Sequence, residues 1–427
     1  MNIYISGISG TGMGPLALMA KQAGFSVFGS DLSEGAVYEE LIRAGIEVMI
    51  GEQDGEFLRE KLETGVDWFV HTSALPENHP ELVLAREAGV KVSKRDEFTA
   101  WLVEKMGLKM VAVAGTHGKT TTTAMIVWTA LKLRLPASFI VGTTLGFAPA
   151  GAYHTGDKYF IYEADEYDRN FLKFSPWTAV ITTVSYDHPD IYPTKEDYQE
   201  AFLQFERQSE RIVTPEATAV FTAEDFQLAG EVRRKDAALA AEAISLMIRE
   251  ENAGESASES SENRGEIGEK RDEIIRILDD FPGAGRRFEK LADGVYTDYA
   301  HHPEEIATTV EMAREEAEKT GKTGVVVVYQ PHQNTRQHKV RAGYEKVFLG
   351  IDKIFWLPTY LTREDPNLPV LSPEELISGL ENREKAEASE LSGALESRLK
   401  EYLKQGYLVI LMTAGPADKW FREKFGE

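Results

Sequence analysis

Residues 111–125, VAVAGTHGKTTTTAM, place two glycines, a lysine and a run of threonines directly after a short apolar segment. Gly115 and Gly118 let backbone amides approach phosphate oxygens, Lys119 supplies a point charge, and a helix starting there adds its dipole. Thr116, His117 and Thr121 complete the loop, and Thr120 is placed to ligate Mg²⁺. The strict G-x-x-x-x-G-K-[ST] pattern is not met, because Val113 stands five residues before Gly118. A glycine turn with a surface lysine is the plainer reading. It leaves the joint occurrence of strand, loop, lysine, paired threonines and helix unexplained.

A phosphate loop needs a cation, and residues 159–168, YFIYEADEYD, end an apolar run in Glu163, Asp165, Glu166 and Asp168. Glu163, the first polar group after the apolar run, is the best metal-ligand candidate, since a hard cation on phosphates takes one or two carboxylates and keeps several waters. The next apolar run, TAVITTVSYDHPD, ends in Asp187 and His188. His188 is read as a ligand ahead of a general base, with a structural histidine as the bland option. Lys119, Glu163 and His188 form the expected catalytic set, with Thr120, Glu163 and His188 as metal ligands for one or two Mg²⁺ ions.

Two further groups of residues could bind substrates. Gly7, Gly10, Gly12 and Gly14 follow the strand-like NIYIS and open the helix-like PLALMAKQAG, which suits a diphosphate. Asp31 ends the next strand-like run, where an acid commonly meets a ribose hydroxyl. The literal G-x-G-x-x-G is absent, and on its own this segment suggests a nicotinamide dinucleotide. Near the C-terminus, His301 and His302 lie in TDYAHHPEE, His332 and Arg336 in YQPHQNTRQ, and Arg287 in GAGRRFEKL. Adjacent histidines on a strand point to opposite faces, so at least one of the first pair is expected to pack or fix a loop. Arg287 is a candidate for a transferred-phosphate or nucleotide contact.

These residues need α/β scaffolds. Short apolar runs alternate with helical periodicity, and the helices end in glycine, which implies repeated βαβ units and parallel sheets. A chain of 427 residues exceeds one ordinary core. Three α/β domains are expected: 1–98, Rossmann-like; 99–283, a P-loop ATPase-like centre; and 284–427, Rossmann-like again. Residues 251–272, ENAGESASESSENRGEIGEKRD, have no aromatic and almost no large apolar side chain, and are expected to form a mobile surface insertion.

Bulk composition excludes several classes. Seventy acidic against 47 basic residues give a net charge of −23, which argues against a general nucleic-acid binder. Absence of cysteine excludes disulfides, thiolate metal sites and cysteine nucleophiles. No run approaches the length of a membrane span and the N-terminus does not read as a signal peptide, so a cytoplasmic protein without membrane contact is expected.

With these motifs in view, the chain resembles the Mur ligase family, the ATP-dependent amino-acid ligases of bacterial cell-wall precursor synthesis. GTHGKTTTTAM resembles that family's phosphate loop, EADEYDRNFL its acidic metal strand, and YDHPDIY its metal-histidine segment. GISGTGMGPLA is similar to the N-terminal UDP loop, SALPENHPEL to the serine-alanine segment after it, RRFEKL to the entry into the third domain, and DYAHHPEE with YQPHQNTR to that domain's loops. The resemblance implies that Gly7, Ser9, Gly10, Thr11, Gly12, Met13, Gly14, Asp31 and Ser73 hold a UDP-sugar. It further implies that Gly115 to Thr121 with Arg287 hold ATP, and that His301, His302, His332 and Arg336 serve the incoming amino acid.

The implied reaction joins L-alanine to the lactyl carboxylate of UDP-N-acetylmuramate through an acyl phosphate, in a monomer or weak homodimer. A tripeptide-recycling or archaeal-type wall ligase is the nearest rival, a nucleotide-binding regulator that has lost ligation a distant one, and a dehydrogenase more distant still. Three departures stand out: GEVRRKDAALAA, with Arg233, Arg234 and Asp236, replaces the family's histidine-asparagine pair at the adenine; the segment before it is short; and Gln333 and Asn334 stand where alanine-adding members show a basic and an aromatic residue.

Overall fold

The computed structural model describes residues 1–427 apart from 36, 73–74, 189–190, 217–219, 256–261, 363 and 427, and the side chains of 253–269 are likewise outside the description. The described residues form two compact units, one of residues 1–226 with 234–281, the other of 227–233 with 282–427. Among the described residues no helix is long and apolar enough to cross a membrane.

The first unit carries two sheets. Strands β1 (Asn2–Ser6), β2 (Ser26–Asp31), β3 (Glu47–Ile50), β4 (Trp68–His71) and β5 (Lys91–Lys94) are all parallel, in the order β3-β2-β1-β4-β5. The helices between them end where the glycines suggest: Gly89 and Gly107 take φ of 70° and 67°, the left-handed conformation that closes a helix cheaply only without a Cβ. The helix Glu56–Thr64 carries no sequence signal of its own, because its EFLREKLET pattern is mostly charged and buries only Leu58 and Lys61.

Strands β6 (Lys109–Ala114), β7 (Ala137–Ile140), β8 (Gly151–Ala152), β9 (Tyr159–Glu163), β10 (Thr178–Ile181) and β11 (Ile212–Val213) form the second sheet, in the order β11-β10-β6-β9-β7-β8. Only the β7–β8 pair is antiparallel. Val111 to Ala114 are fully buried, as expected of a central parallel strand covered on both faces. The helix Arg95–Met106 joins the two cores: Phe98 and Trp101 pack their rings 4.9 and 5.0 Å from Trp68, and Leu102 and Val103 belong to one apolar cluster that reaches Ala112 and Phe160. That shared core is why the two sheets behave as one unit, and the expected division after residue 98 falls inside this helix.

The second unit carries β12 (Glu289–Ala292), β13 (Val295–Asp298), β14 (Val325–Gln330), β15 (Lys353–Trp356), β16 (Ala386–Ala388) and β17 (Leu408–Thr413), in the order β12-β13-β17-β14-β15-β16. Its β12–β13 edge is an antiparallel hairpin and the remaining pairs are parallel. The apolar runs β14, β15 and β17 are legible in the sequence; the hairpin and β16 are not, because short edge strands carry little hydrophobic signal.

Within 251–272, expected as a mobile surface insertion, the described residues 251–255 and 262–272 are helical. The helix Glu231–Glu255 runs into it and the helix Glu262–Asp279 starts within it, leaving 256–261 outside the described residues. Helix can extend into so polar a stretch because an established helix grows one residue at a time past its costly nucleus, and glutamate, lysine and arginine are good helix formers.

Candidate active site

In the second sheet the expected residues arrive at the C-terminal ends of three neighbouring strands. Val113 of β6 is paired with Glu163 of β9, and Ala114 of β6 with Ile181 of β10, so the phosphate loop, the acidic turn and the His188 segment leave the sheet at one level. The helix Lys119–Lys132 starts at Gly118, whose φ of 87° and closeness to Asp236 both exclude a side chain: a Cβ there would lie 2.6 Å from the Asp236 carboxylate. Asp236 is itself buried, so the segment that departs from the family pattern packs against the phosphate loop.

Lys119 is paired within the protein. Its Nζ donates to Glu166 Oε2 at 2.7 Å, Glu166 Oε1 at 3.0 Å and the Gly115 carbonyl at 2.6 Å. Glu166 is 1% exposed, and its other neighbour is His188, with Nε2 3.6 Å from Oε1. Thr120 donates to Glu163 Oε1 at 3.1 Å. Lysine, histidine and both glutamates therefore converge. Glu166, one acid among four in the sequence, is the residue that links Lys119 to His188, and only its burial distinguishes it.

Other loop residues play different parts from the one their motif suggests. The Thr116 N–H donates to the Thr183 carbonyl and the His117 N–H to Thr183 Oγ1, while Thr116 Oγ1 bridges Ser185 and Tyr198. Both residues fix the loop against the segment after β10 and keep their amides inside the protein. Thr121 sits half-buried in the first helical turn.

The N-terminal glycine loop is held from below. Gly7 and Ile8 donate to the Ser30 carbonyl, and Asp31 Oδ2 accepts the Ser9 N–H at 2.9 Å, so Asp31 pins the loop. Gly10 accepts from Met13 and Gly14, and the Met13 side chain is buried in the core. Glu81, fully buried, accepts hydrogen bonds from Tyr4, Ser6, Ser30 and Gln53, tying the ends of β1 and β2 together beneath loop and Asp31. Nothing in the helical pattern PELVLAREAG marks Glu81 as different from any surface glutamate. Ser73 lies outside the described residues.

The two halves of this unit meet at a cleft lined by Thr11, Gly12, Arg95, Ile140, Gly142, Tyr162, Glu163 and Asp165. Arg95 gives no sequence sign of being a site residue, because it reads as the start of a connector helix. A Cβ on Gly12 would lie 2.6 Å from its guanidinium, and Asp96, which also accepts from Tyr162 at 2.7 Å, orients it. The Gly12 end of the N-terminal loop and the Glu163 end of the metal strand thus open on one space.

For a cation the candidate donors are oxygen-rich: Glu163 and Thr120, which touch each other, with His188 beside Glu166. Among the described residues no group of three or more histidine and acid side chains is close enough to hold a metal by itself. That suits a hard cation completed by substrate phosphates and water and argues against a closed structural site.

The second unit holds its own polar cluster. His301 and His332 face each other with ring centres 5.8 Å apart, and Tyr360 lies 5.7 Å from His332. Burial pushes both histidines below the usual imidazole range, and for His332 the neighbouring His301 and Arg336 add to it. The buried His332 Nδ1 and Arg336 Nη1 have no hydrogen-bond partner within the described protein. His302 lies past the end of β13 at Asp298, so strand alternation does not decide its role. It occupies the N-cap of the helix Pro303–Lys319, where Glu305 accepts its backbone N–H. Arg287 lies with its guanidinium 5.0 Å from the Tyr299 ring. Asp298, also unforeseen, is buried and accepts from Phe288 and Ala300, joining the Arg287 and His301 segments.

Asn334 does not face that cluster. Its side chain is 1% exposed, donates to the Pro369 carbonyl and accepts from the Leu371 N–H. Its side chain, in place of an aromatic one, therefore ties the helix start to Pro369 and Leu371.

Comparison with known proteins assigns the framework. Residues 2–106 match the Mur ligase family catalytic domain, 113–273 the Mur ligase middle domain and 286–415 the Mur ligase glutamate ligase domain. The chain is 31% identical to a UDP-N-acetylmuramate–L-alanine ligase of Carboxydothermus hydrogenoformans, covering 97% of this chain and 94% of that one. The chain belongs to the Mur ligase family. It is therefore an ATP-dependent, amide-bond-forming ligase of peptidoglycan synthesis with the three α/β domains of that family. A second relative, from Fusobacterium nucleatum and of the same name, is 30% identical over 87% of this chain and 86% of its own. Among Mur ligase structures, a UDP-N-acetylmuramate-alanine ligase of Thermotoga maritima shares the fold with a TM-score of 0.73 at 22% identity, over 99% and 98% of the chains. A murein peptide ligase of Psychrobacter arcticus shares it with a TM-score of 0.55 at 20% identity, over the same shares.

Proposed function

We propose that this Mur ligase joins L-alanine to the lactyl carboxylate of UDP-N-acetylmuramate, with Mg²⁺ and ATP, in the cytoplasm. The observation that carries the reading is the cleft where Gly12 and Arg95 meet Glu163: a sugar nucleotide held by the N-terminal loop reaches the phosphate-transfer residues there. Relatives of nearly equal length that carry this name support it.

The carboxylate oxygen of the sugar attacks the γ-phosphorus of ATP, the bond to the β-γ bridging oxygen breaks, and ADP leaves. The nitrogen of alanine, as the free amine, then attacks the acyl carbon, the carbon–oxygen bond to the phosphate breaks, and inorganic phosphate and the amine's proton are released. Lys119, exchanging its Glu166 partner for the transferring phosphoryl group, offsets charge that develops there. Thr120 and Glu163, with His188 as a further candidate ligand, would hold Mg²⁺, which would supply charge neutralisation. Asp31 and Glu81 keep the N-terminal loop in place, and the His301–His332–Arg336 cluster receives the amino acid.

Phosphate release measured with UDP-N-acetylmuramate and, in turn, L-alanine, glycine, L-serine and the wall tripeptide tests the reading. Turnover with L-alanine is expected; turnover with the tripeptide alone assigns the protein to the recycling activity instead, and ATP binding without turnover on any of them makes it a regulator.

A further inference from the structure

Thr362, Glu364, Asp365, Pro369 and Leu371, which follow β15, are tied to the start of the helix Asn334–Val340, chiefly by one carboxylate. Glu364 Oε1 accepts the N–H groups of Asn334 and Thr362, each at 2.9 Å; Oε2 accepts the Thr335 N–H at 2.9 Å and the Thr335 hydroxyl at 3.1 Å. Asn334 closes the staple from the other side through Pro369 and Leu371, and the Asp365 N–H returns to the Thr335 hydroxyl at 2.9 Å. Between this staple and His332 stands Gln333, at φ 64° and ψ 112°, a conformation that a non-glycine residue keeps only when its surroundings impose it. Its N–H is held by the Tyr360 carbonyl at 2.9 Å, the same residue whose ring faces His332.

We propose that Glu364 is a positioning residue for the amine substrate: by gripping both sides of the 332–336 turn it holds the strained Gln333, and so aims His332 and Arg336 at the amino acid. The inference rests on the reading of that cluster as the amino-acid site. All four acceptor directions of the carboxylate are in use, and a glutamine would turn an NH₂ toward two of the donors. Burial works against the charge, yet the N–H groups of Thr335, Thr362 and Asn334 hold the carboxyl below its ordinary range, so it is ionised throughout the working pH.

The test varies the amine that the wild-type enzyme uses, L-alanine first, in the full-length protein. Glu364→Gln is expected to raise the amine KM about tenfold, with the KM for ATP and for the sugar nucleotide unchanged. Should that variant fold poorly, Thr335→Ala removes one of the four donors and is expected to raise the same KM about threefold. An unchanged amine KM in either folded variant, whatever its melting temperature, overturns the proposal, and so does an equal rise in all three constants. Arg336→Lys separates the two levels. If it leaves the amine KM unaltered, the reading of the cluster falls; if it raises that KM while Glu364→Gln does not, only the role of Glu364 falls.

Discussion

The phosphate-loop site of the first unit and the histidine cluster of the second solve opposite problems. Around Lys119, one buried carboxylate, Glu166, is paired with the Lys119 ammonium and faces His188, at the ends of strands fixed by register. Around His332, burial favours neutral rings, and the ionised carboxylate Glu364 acts on the backbone that carries them. Transfer of a highly charged phosphoryl group calls for charge that is present before the reaction and screened from water. Recognition of a small amino acid calls for a turn held in one shape.

The sharpest way to separate the two regions is Lys119→Ala. Phosphate release is expected to fall by about 10²–10³-fold or more, while calorimetric binding of the sugar nucleotide persists. Loss of both would mean that the loop also supports the N-terminal site.

Glu166→Gln comes next. It leaves the Lys119 charge beside a neutral amide in a place almost closed to water, and a destabilisation on the order of 2 kcal/mol is expected, below the roughly 3–5 kcal/mol of a fully buried pair because Lys119 is partly exposed. A denaturant titration measures it. No change in midpoint would show that the pair is not what holds the loop. Gly118→Ala tests the close approach of Asp236: the left-handed backbone alone costs about 1–2 kcal/mol, and the clash adds to it. Combining it with Asp236→Ala should recover the part due to the clash and leave the backbone part.

The smallest expected effect is one of pH. His301 and His332 have folded-state values below their unfolded ones, so the unfolded chain takes up protons first as pH falls through about 6.5. Stability is therefore full above that value and declines below it. The lowered carboxylates Glu305 and Glu364 keep their contribution until pH falls below the unfolded carboxylate value, near about 4.3, and lose it as pH passes through their folded values. Melting temperature followed from about pH 7.5 to about 5.5 should fall by a few degrees in the wild type and less in His332→Gln. Equal slopes would show that His332 titrates alike in both states.

Much of this was legible because it is local. A phosphate loop is a contiguous run of residues whose backbone and side chains all serve one end of one helix, so VAVAGTHGKTT announced it, and EADEYD and YDHPD announced their strand ends in the same way. Strand alternation did not set the different surroundings of His301 and His302, because both lie between the end of β13 at Asp298 and the helix Pro303–Lys319. Illegible were the groups whose meaning comes from distant partners. Glu81 gathers residues from Tyr4 to Gln53, and Arg95 acquires its place from Gly12 and Asp96. Asn334, suspicious as a departure in a motif, turned out to serve Pro369 and Leu371.

Local sequence set the strands, the glycine-closed helices and the types of chemistry at their ends, because hydrophobic periodicity and backbone permissiveness act over a few residues. Long-range packing chose which glutamate meets Lys119, made the first two sheets share one core, and set His332 against His301 and Tyr360. Those outcomes depend on strand order, register and burial. A carboxylate's role in them is set by which donors the fold brings to it from far along the chain.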